Sequence, residues 1–138
     1  MYKKILVGID GSETGSRAFD SALEHAARDN AELFVLSVAQ PPDIGGDVET
    51  EAVIENSLAY HRKLFPPLQK RAKAKGVKAR FETAVGHPVE QIIYHADRHN
   101  VDLIVIGDRG RSKFAKLLMG SVSKEVLQHA ARPVLLVR

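Results

Sequence analysis

Val101-Asp102-Leu103-Ile104-Val105-Ile106 is the stretch that decides the fold. Apart from Asp102 it is apolar without interruption and rich in β-branched residues, the pattern of a strand buried on both faces inside a parallel sheet. Four more runs of strand length lie outward from it: Lys4 to Asp10, Leu33 to Ala39, Val77 to Val85 and Pro133 to Val137. The stretches between them repeat their apolar residues at helical spacing. Ala18, Phe19, Ala22, Leu23, Ala26 and Ala27 form one such stripe; Val89, Ile92, Ile93 and Ala96 form another, and Val122, Val126, Leu127 and Ala130 a third. The order is βαβαβαβαβ.

Strands joined by helices cross over right-handedly into a parallel sheet covered on both faces. The expectation is an α/β fold, a doubly wound five-stranded parallel sheet of order 3-2-1-4-5, formed as one domain over residues 1–138. Run three alternates, with Ala79, Phe81 and Thr83 against Lys78, Arg80 and Glu82, so it belongs at an edge. With runs one and four as central neighbours, the chain reverses between them and opens a crevice at their carboxyl ends. Run five is an edge of four apolar residues, Val134 to Val137, which invites self-pairing across a two-fold axis. The long helical pattern Val53, Ile54, Leu58, Leu64, Phe65, Leu68 meets Pro66-Pro67, which predicts a kink or two helices. The turn-rich loop Gln40 to Asp47 is expected to be mobile.

Composition narrows the function. In 138 residues there is no cysteine, which excludes disulfides, thiolate metal sites and thiol nucleophiles. No run is long enough to span a bilayer, and Asp10 cuts the first apolar stretch too early for a signal peptide, so no membrane association and a cytoplasmic location are expected. Between Gly107 and Ser121 stand Arg109, Arg111, Lys113 and Lys116 against Asp108 alone, a local surplus equal to the whole chain's formal charge of +3. That surplus accompanies Gly107-Asp108-Arg109-Gly110 and, nine residues on, Gly120-Ser121 opening a helix. Two readings stand: the glycines shape a turn and Ser121 caps a helix, or the loop and the helix's unpaired amides cradle a phosphate. A Walker lysine motif is absent, and Gly8-Ile9-Asp10-Gly11-Ser12 is no dinucleotide turn.

The spacing G-x2-G-x9-G-[ST], here Gly107, Gly110, Gly120 and Ser121, resembles the ATP-binding signature of the universal stress protein family. Lys4 to Ser12 and Arg132 to Val137 are similar to that family's two ends, and the resemblance spans essentially the whole chain. It implies that Asp10 lies beside the nucleoside with Gly8 lining the same pocket, and that Val38 meets adenine through its main chain. It further implies that Gly107, Arg109 and Gly110 wrap ribose and phosphates, that Gly120, Ser121, Val122 and Ser123 hold phosphates, and that a divalent ion, Mg or Mn, accompanies ATP. AMP or another adenine nucleotide is an alternative ligand. Dimerisation through the last strand is implied as well. Asp108 departs from the family pattern, where a small neutral residue is usual, and sets a carboxylate beside the phosphates.

Other residues carry less. His95 and His99 have the spacing of a metal pair but lack the zinc-protease glutamate, and are read as flanking surface histidines. Ser12, Ser16 and Ser37 have no evident His and Asp partners in sequence, and Asp10 lacks the neighbouring acid of a phosphoacceptor site. The function expected is a dimeric ATP-binding stress-response regulator whose nucleotide occupancy modulates an unidentified protein partner. The alternative is a slow metal-dependent ATPase or phosphotransferase using Asp10 or Asp108. Nucleic-acid binding is disfavoured, because basic and aromatic residues are not interleaved and aromatics make up only 6% of the chain.

Overall fold

The computed structural model describes residues 1–41, 48–109 and 120–138. Most of the turn-rich Gln40 to Asp47 loop, and Gly110, Arg111, Lys113 and Lys116, lie outside the described residues. The elements run β1 (Lys4–Ile9), α1 (Glu13–Asp29), β2 (Glu32–Ala39), α2 (Val48–Arg62), α3 (Phe65–Ala74), β3 (Ala79–Val85), α4 (Pro88–Arg98), β4 (Leu103–Gly107), α5 (Ser121–His129) and β5 (Val134–Val137). The strands form one sheet of order β3-β2-β1-β4-β5, every pair parallel, as the run pattern predicts.

Strand periodicity sends β1 side chains to two cores. Ile5, Val7 and Ile9 join Phe19, Ala22 and Leu23 of α1 and Phe65 and Ala72 of α3 on one face. Leu6 joins Val89, Ile92 and Ala96 of α4 and Val126 of α5 on the other. Asp102, the polar exception in the deciding stretch, accepts hydrogen bonds from the Lys3 and Lys4 amides at 2.9 and 3.2 Å. Its carboxylate thereby ties the start of β1 to the entry of β4.

Helix limits follow from local chemistry. Ser12 caps α1, its hydroxyl accepting from the Gly15 amide at 3.1 Å, and Asn30 closes the helix in the left-handed region at φ 54°. Pro66 and Pro67 split the long helical pattern in two. They occupy the first turn of α3, where amide hydrogens have no intrahelical partner and proline's missing donor does no harm. Both edges fall where expected. On β5, Val134 and Leu136 pack partly against the α4 side, and Leu135 and Val137 against the α1 side. Among the described residues, no helix is long and apolar enough to cross a membrane.

Candidate functional site

Between β1 and β4 the connections depart to opposite faces, so their carboxyl ends part and leave a crevice at the reversal point of the sheet. An open cleft lies there, enclosing about 630 Å³ including the space continuous with solvent. Its floor is apolar: Gly8, Leu36 and Val38 from the strands, Ile106 from β4 and Ile92 from α4. Polar groups gather at the rim, where Asp10, Ser12, Arg109 and Ser123 stand.

The floor owes its depth to a missing side chain. A Cβ on Gly8 would rise to 3.5 Å from Ile92 Cδ1 and 3.6 Å from Ile106 Cγ2, so any larger residue fills the cleft. Gly107 is glycine for another reason. A Cβ there would come within 2.8 Å of Thr14 Oγ1 and 3.0 Å of the Thr14 carbonyl carbon, because the first turn of α1 packs directly on the end of β4. Thr14 Oγ1 also donates to the Arg109 carbonyl.

The rim is held by short hydrogen bonds. Asp10 Oδ1 accepts from the Ser12 amide at 2.9 Å, which turns the chain into α1. Ser123 Oγ donates to the Gly107 carbonyl at 2.6 Å, fixing the first turn of α5 against β4. The Gly120 amide donates to the Asp108 carbonyl at 2.7 Å, and the Asp108 amide to the Val137 carbonyl at 2.8 Å. Gly120 is the N-cap of α5 and brings no side chain to its first-turn amides, so the positive end of the helix dipole stays available to an anion. The Asp108 carboxylate sits between two guanidinium groups, 3.5 Å from Arg109 Nε and 3.8 Å from Arg138 Nε. Those cations offset the repulsion it would otherwise exert on a phosphate.

Of the residues singled out from sequence, Gly8, Asp10, Val38, Gly107, Arg109, Val122 and Ser123 line this one cleft. Gly120 and Ser121 stand at the mouth of α5, beside Val122 and Ser123, and Gly110 lies outside the described residues. Leu36, Pro88, Ile92 and Ile106 also line the cleft and carried no signal in sequence beyond being apolar. Ser12 and Gly15 belong to the turn after β1, and the capping pattern was the only trace of them.

Two expectations about side chains are corrected. Ser37 does have a histidine partner: its hydroxyl lies 2.5 Å from His61 Nδ1 and donates to the Ile9 carbonyl at 2.9 Å. With the serine hydrogen directed to that carbonyl, the imidazole is the donor, and the pair is a fully buried link between α2 and the sheet with no activated nucleophile. His95 and His99 are not flanking surface residues. His95 is buried, and both rings point at Glu82 of β3, which sits on the strand face the sequence reading left to solvent.

Comparison with known proteins gives a consistent picture. The family model described as "Universal stress protein family" matches residues 1–138. The universal stress protein YxiE of Bacillus subtilis is 35% identical, covering 100% of both chains. The solved universal stress protein UspA of Lactobacillus plantarum superposes with a TM-score of 0.92 at 25% identity, covering 99% of this chain and 98% of that one. A universal stress protein solved in complex with cAMP matches with a TM-score of 0.72 at 30% identity, covering 99% and 97% of the two chains.

Proposed function

The chain belongs to the universal stress protein family, and from that premise we propose that its cleft binds an adenine nucleotide, with ATP and an accompanying Mg or Mn ion as the first candidate and AMP as the second. One observation carries the reading: a single cleft joins an apolar floor, opened by Gly8, to a rim holding Arg109 and the uncapped first turn of α5. A purine fits the floor, with Val38 beside it. Asp10 takes the ribose hydroxyls, while Gly107, Arg109, Gly110 and the α5 residues Gly120, Ser121, Val122 and Ser123 take the phosphates. The metal ion neutralises phosphate charge when bound. Asp10 is the carboxylate suited to it, since Asp108 is already flanked by Arg109 and Arg138. The relative solved with cAMP supports the ligand class.

In this reading the protein is a cytoplasmic regulator. Nucleotide occupancy changes the surface around the cleft mouth and so the choice of protein partner, and two copies pair through the β5 edge. Calorimetric titration with MgATP, AMP and adenosine tests the site. Replacing Arg109 by Gln removes a charge-assisted contact of about 1.5–3 kcal/mol, so MgATP weakens roughly ten- to a hundredfold while adenosine is unaffected. Equal losses for both ligands would reassign Arg109 to a purely structural role, and no binding of any adenine compound at millimolar concentration would overturn the proposal. Phosphate release assayed on the same samples places the chain with binders or with ATPases.

A further inference from the structure

We propose that Glu82 of β3 with His95 and His99 of α4 forms a binding site for a divalent transition-metal ion of the zinc class, separate from the nucleotide cleft. The two histidines are four residues apart and share one face of the helix. Across from them Glu82 Oε2 lies 3.4 Å from His95 Nδ1, and Glu82 Oε1 lies 3.3 Å from His99 Nε2. One ligand atom from each of the three residues falls within 4.8 Å of the other two. An ion bound tetrahedrally at zinc–nitrogen and zinc–oxygen lengths of about 2.0–2.1 Å needs its ligand atoms roughly 3.3 Å apart. The two histidine–glutamate separations already have that value.

Hydrogen bonding does not account for the arrangement. His95 Nδ1 and His99 Nε2 are both buried and neither makes a hydrogen bond, although each points at a carboxylate. His95 is only 8% exposed, so its unpartnered nitrogen has no water to turn to. Burial lowers the His95 pKa, against the pull of Glu82 and helped by His99 and Arg98. Its ring is therefore neutral at neutral pH, the form that ligates metals. Ring packing fixes the orientations: Phe34 stacks on His99 with centroids 4.2 Å apart and planes inclined 15°, and Tyr94 meets His95 edge-on at 5.3 Å.

Two imidazoles and one carboxylate select zinc, cobalt or nickel over magnesium and calcium, which favour all-oxygen sites. Three protein ligands leave a fourth position for water, and entry is from the half-buried Glu82 side. The same helix sends Pro88 and Ile92 to the cleft, while none of the three ligands lines it. The site therefore stands or falls independently of the nucleotide reading.

Titration of the tag-free protein with ZnCl2 by calorimetry, and with Co(II) followed by visible absorption, tests the assignment. The expected result is one high-affinity ion per chain, four-coordinate cobalt bands, and a rise in Tm with zinc but not with magnesium. His99→Gln and Glu82→Gln each weaken binding at least tenfold, whereas His129→Gln, at an exposed histidine on α5, leaves it unchanged. Circular dichroism confirms the fold of each variant, and Glu82→Gln, on the half-exposed strand, serves if the histidine variant does not fold. A wild-type protein that takes up no stoichiometric zinc, or folded Glu82 and His99 variants that bind as tightly as wild type, would overturn the proposal.

Discussion

Gly8→Val separates folding from binding at the candidate cleft. The φ of Gly8 lies outside the left-handed region, so a β-branched residue meets no backbone strain there. Its Cβ would stand 3.5 and 3.9 Å from Ile92 and 3.6 Å from Ile106, all ordinary van der Waals distances. Valine suits the middle of a strand better than glycine by up to about 1 kcal/mol, and loses less backbone freedom on folding. Each methyl pressed against the two isoleucines adds roughly 0.8 kcal/mol of burial, part of it offset by crowding. The variant is therefore as stable as the wild type, or more stable by about 1–2 kcal/mol. Binding goes the other way. A purine lifted from this floor forfeits roughly 100 Å² of apolar burial, near 2.5 kcal/mol at about 25 cal/mol per Å², which is close to a hundredfold in Kd. Urea unfolding and calorimetry with MgATP read the two effects on one sample. A folded Gly8→Val protein that holds nucleotide as tightly as wild type would refute the placement of the base, and a loss of more than 1 kcal/mol in stability would refute the account of free space.

Gly107→Ala should do the reverse of Gly8→Val: its Cβ runs into Thr14, backbone included, so urea unfolding is expected to show a loss of about 1–3 kcal/mol. A variant of wild-type stability would remove that packing explanation. Acid unfolding is expected to expose Asp29, whose carboxyl is held below its ordinary pKa by the Tyr2 amide at 3.0 Å, which outweighs desolvation and is helped by Arg28. Because the folded pKa is depressed, the contribution is complete above the unfolded value of about 3.9 and is lost as pH falls through the folded one. The stability gap between wild type and Asp29→Asn should accordingly close between about pH 5 and pH 3 in urea titrations; a gap independent of pH would contradict it. Self-association is checked by sedimentation. Ile104 and Asp108 donate to the carbonyls of Pro133 and Val137, so the intervening Leu136 turns its amide to the outer edge. Leu136→Pro should leave the ladder to β4 intact and yield monomers, and a folded variant that stays dimeric would reject the β5 interface.

Local pattern alone determined the architecture of this protein. An uninterrupted Val101 to Ile106, an alternating Val77 to Val85 and helical stripes between the runs leave a parallel sheet of order 3-2-1-4-5 as the consistent solution, and Pro66-Pro67 marks where one helix must become two. The glycines and Arg109 around the fourth strand were legible as a candidate site because their spacing is short-range. Contacts between residues distant in sequence were decided only by tertiary structure. Pro88 and Ile92 reach the cleft because α4 crosses the sheet face above Gly8, and no periodicity announces which neighbour a buried isoleucine meets. Thr14 explains Gly107 from 93 positions away. Glu82 reads as one solvent-facing charge in an alternating strand until the crossover into α4 lays His95 and His99 over it. Periodicity tells a side chain which face it is on; the crossovers and the strand register, set by the whole core at once, tell it what it touches.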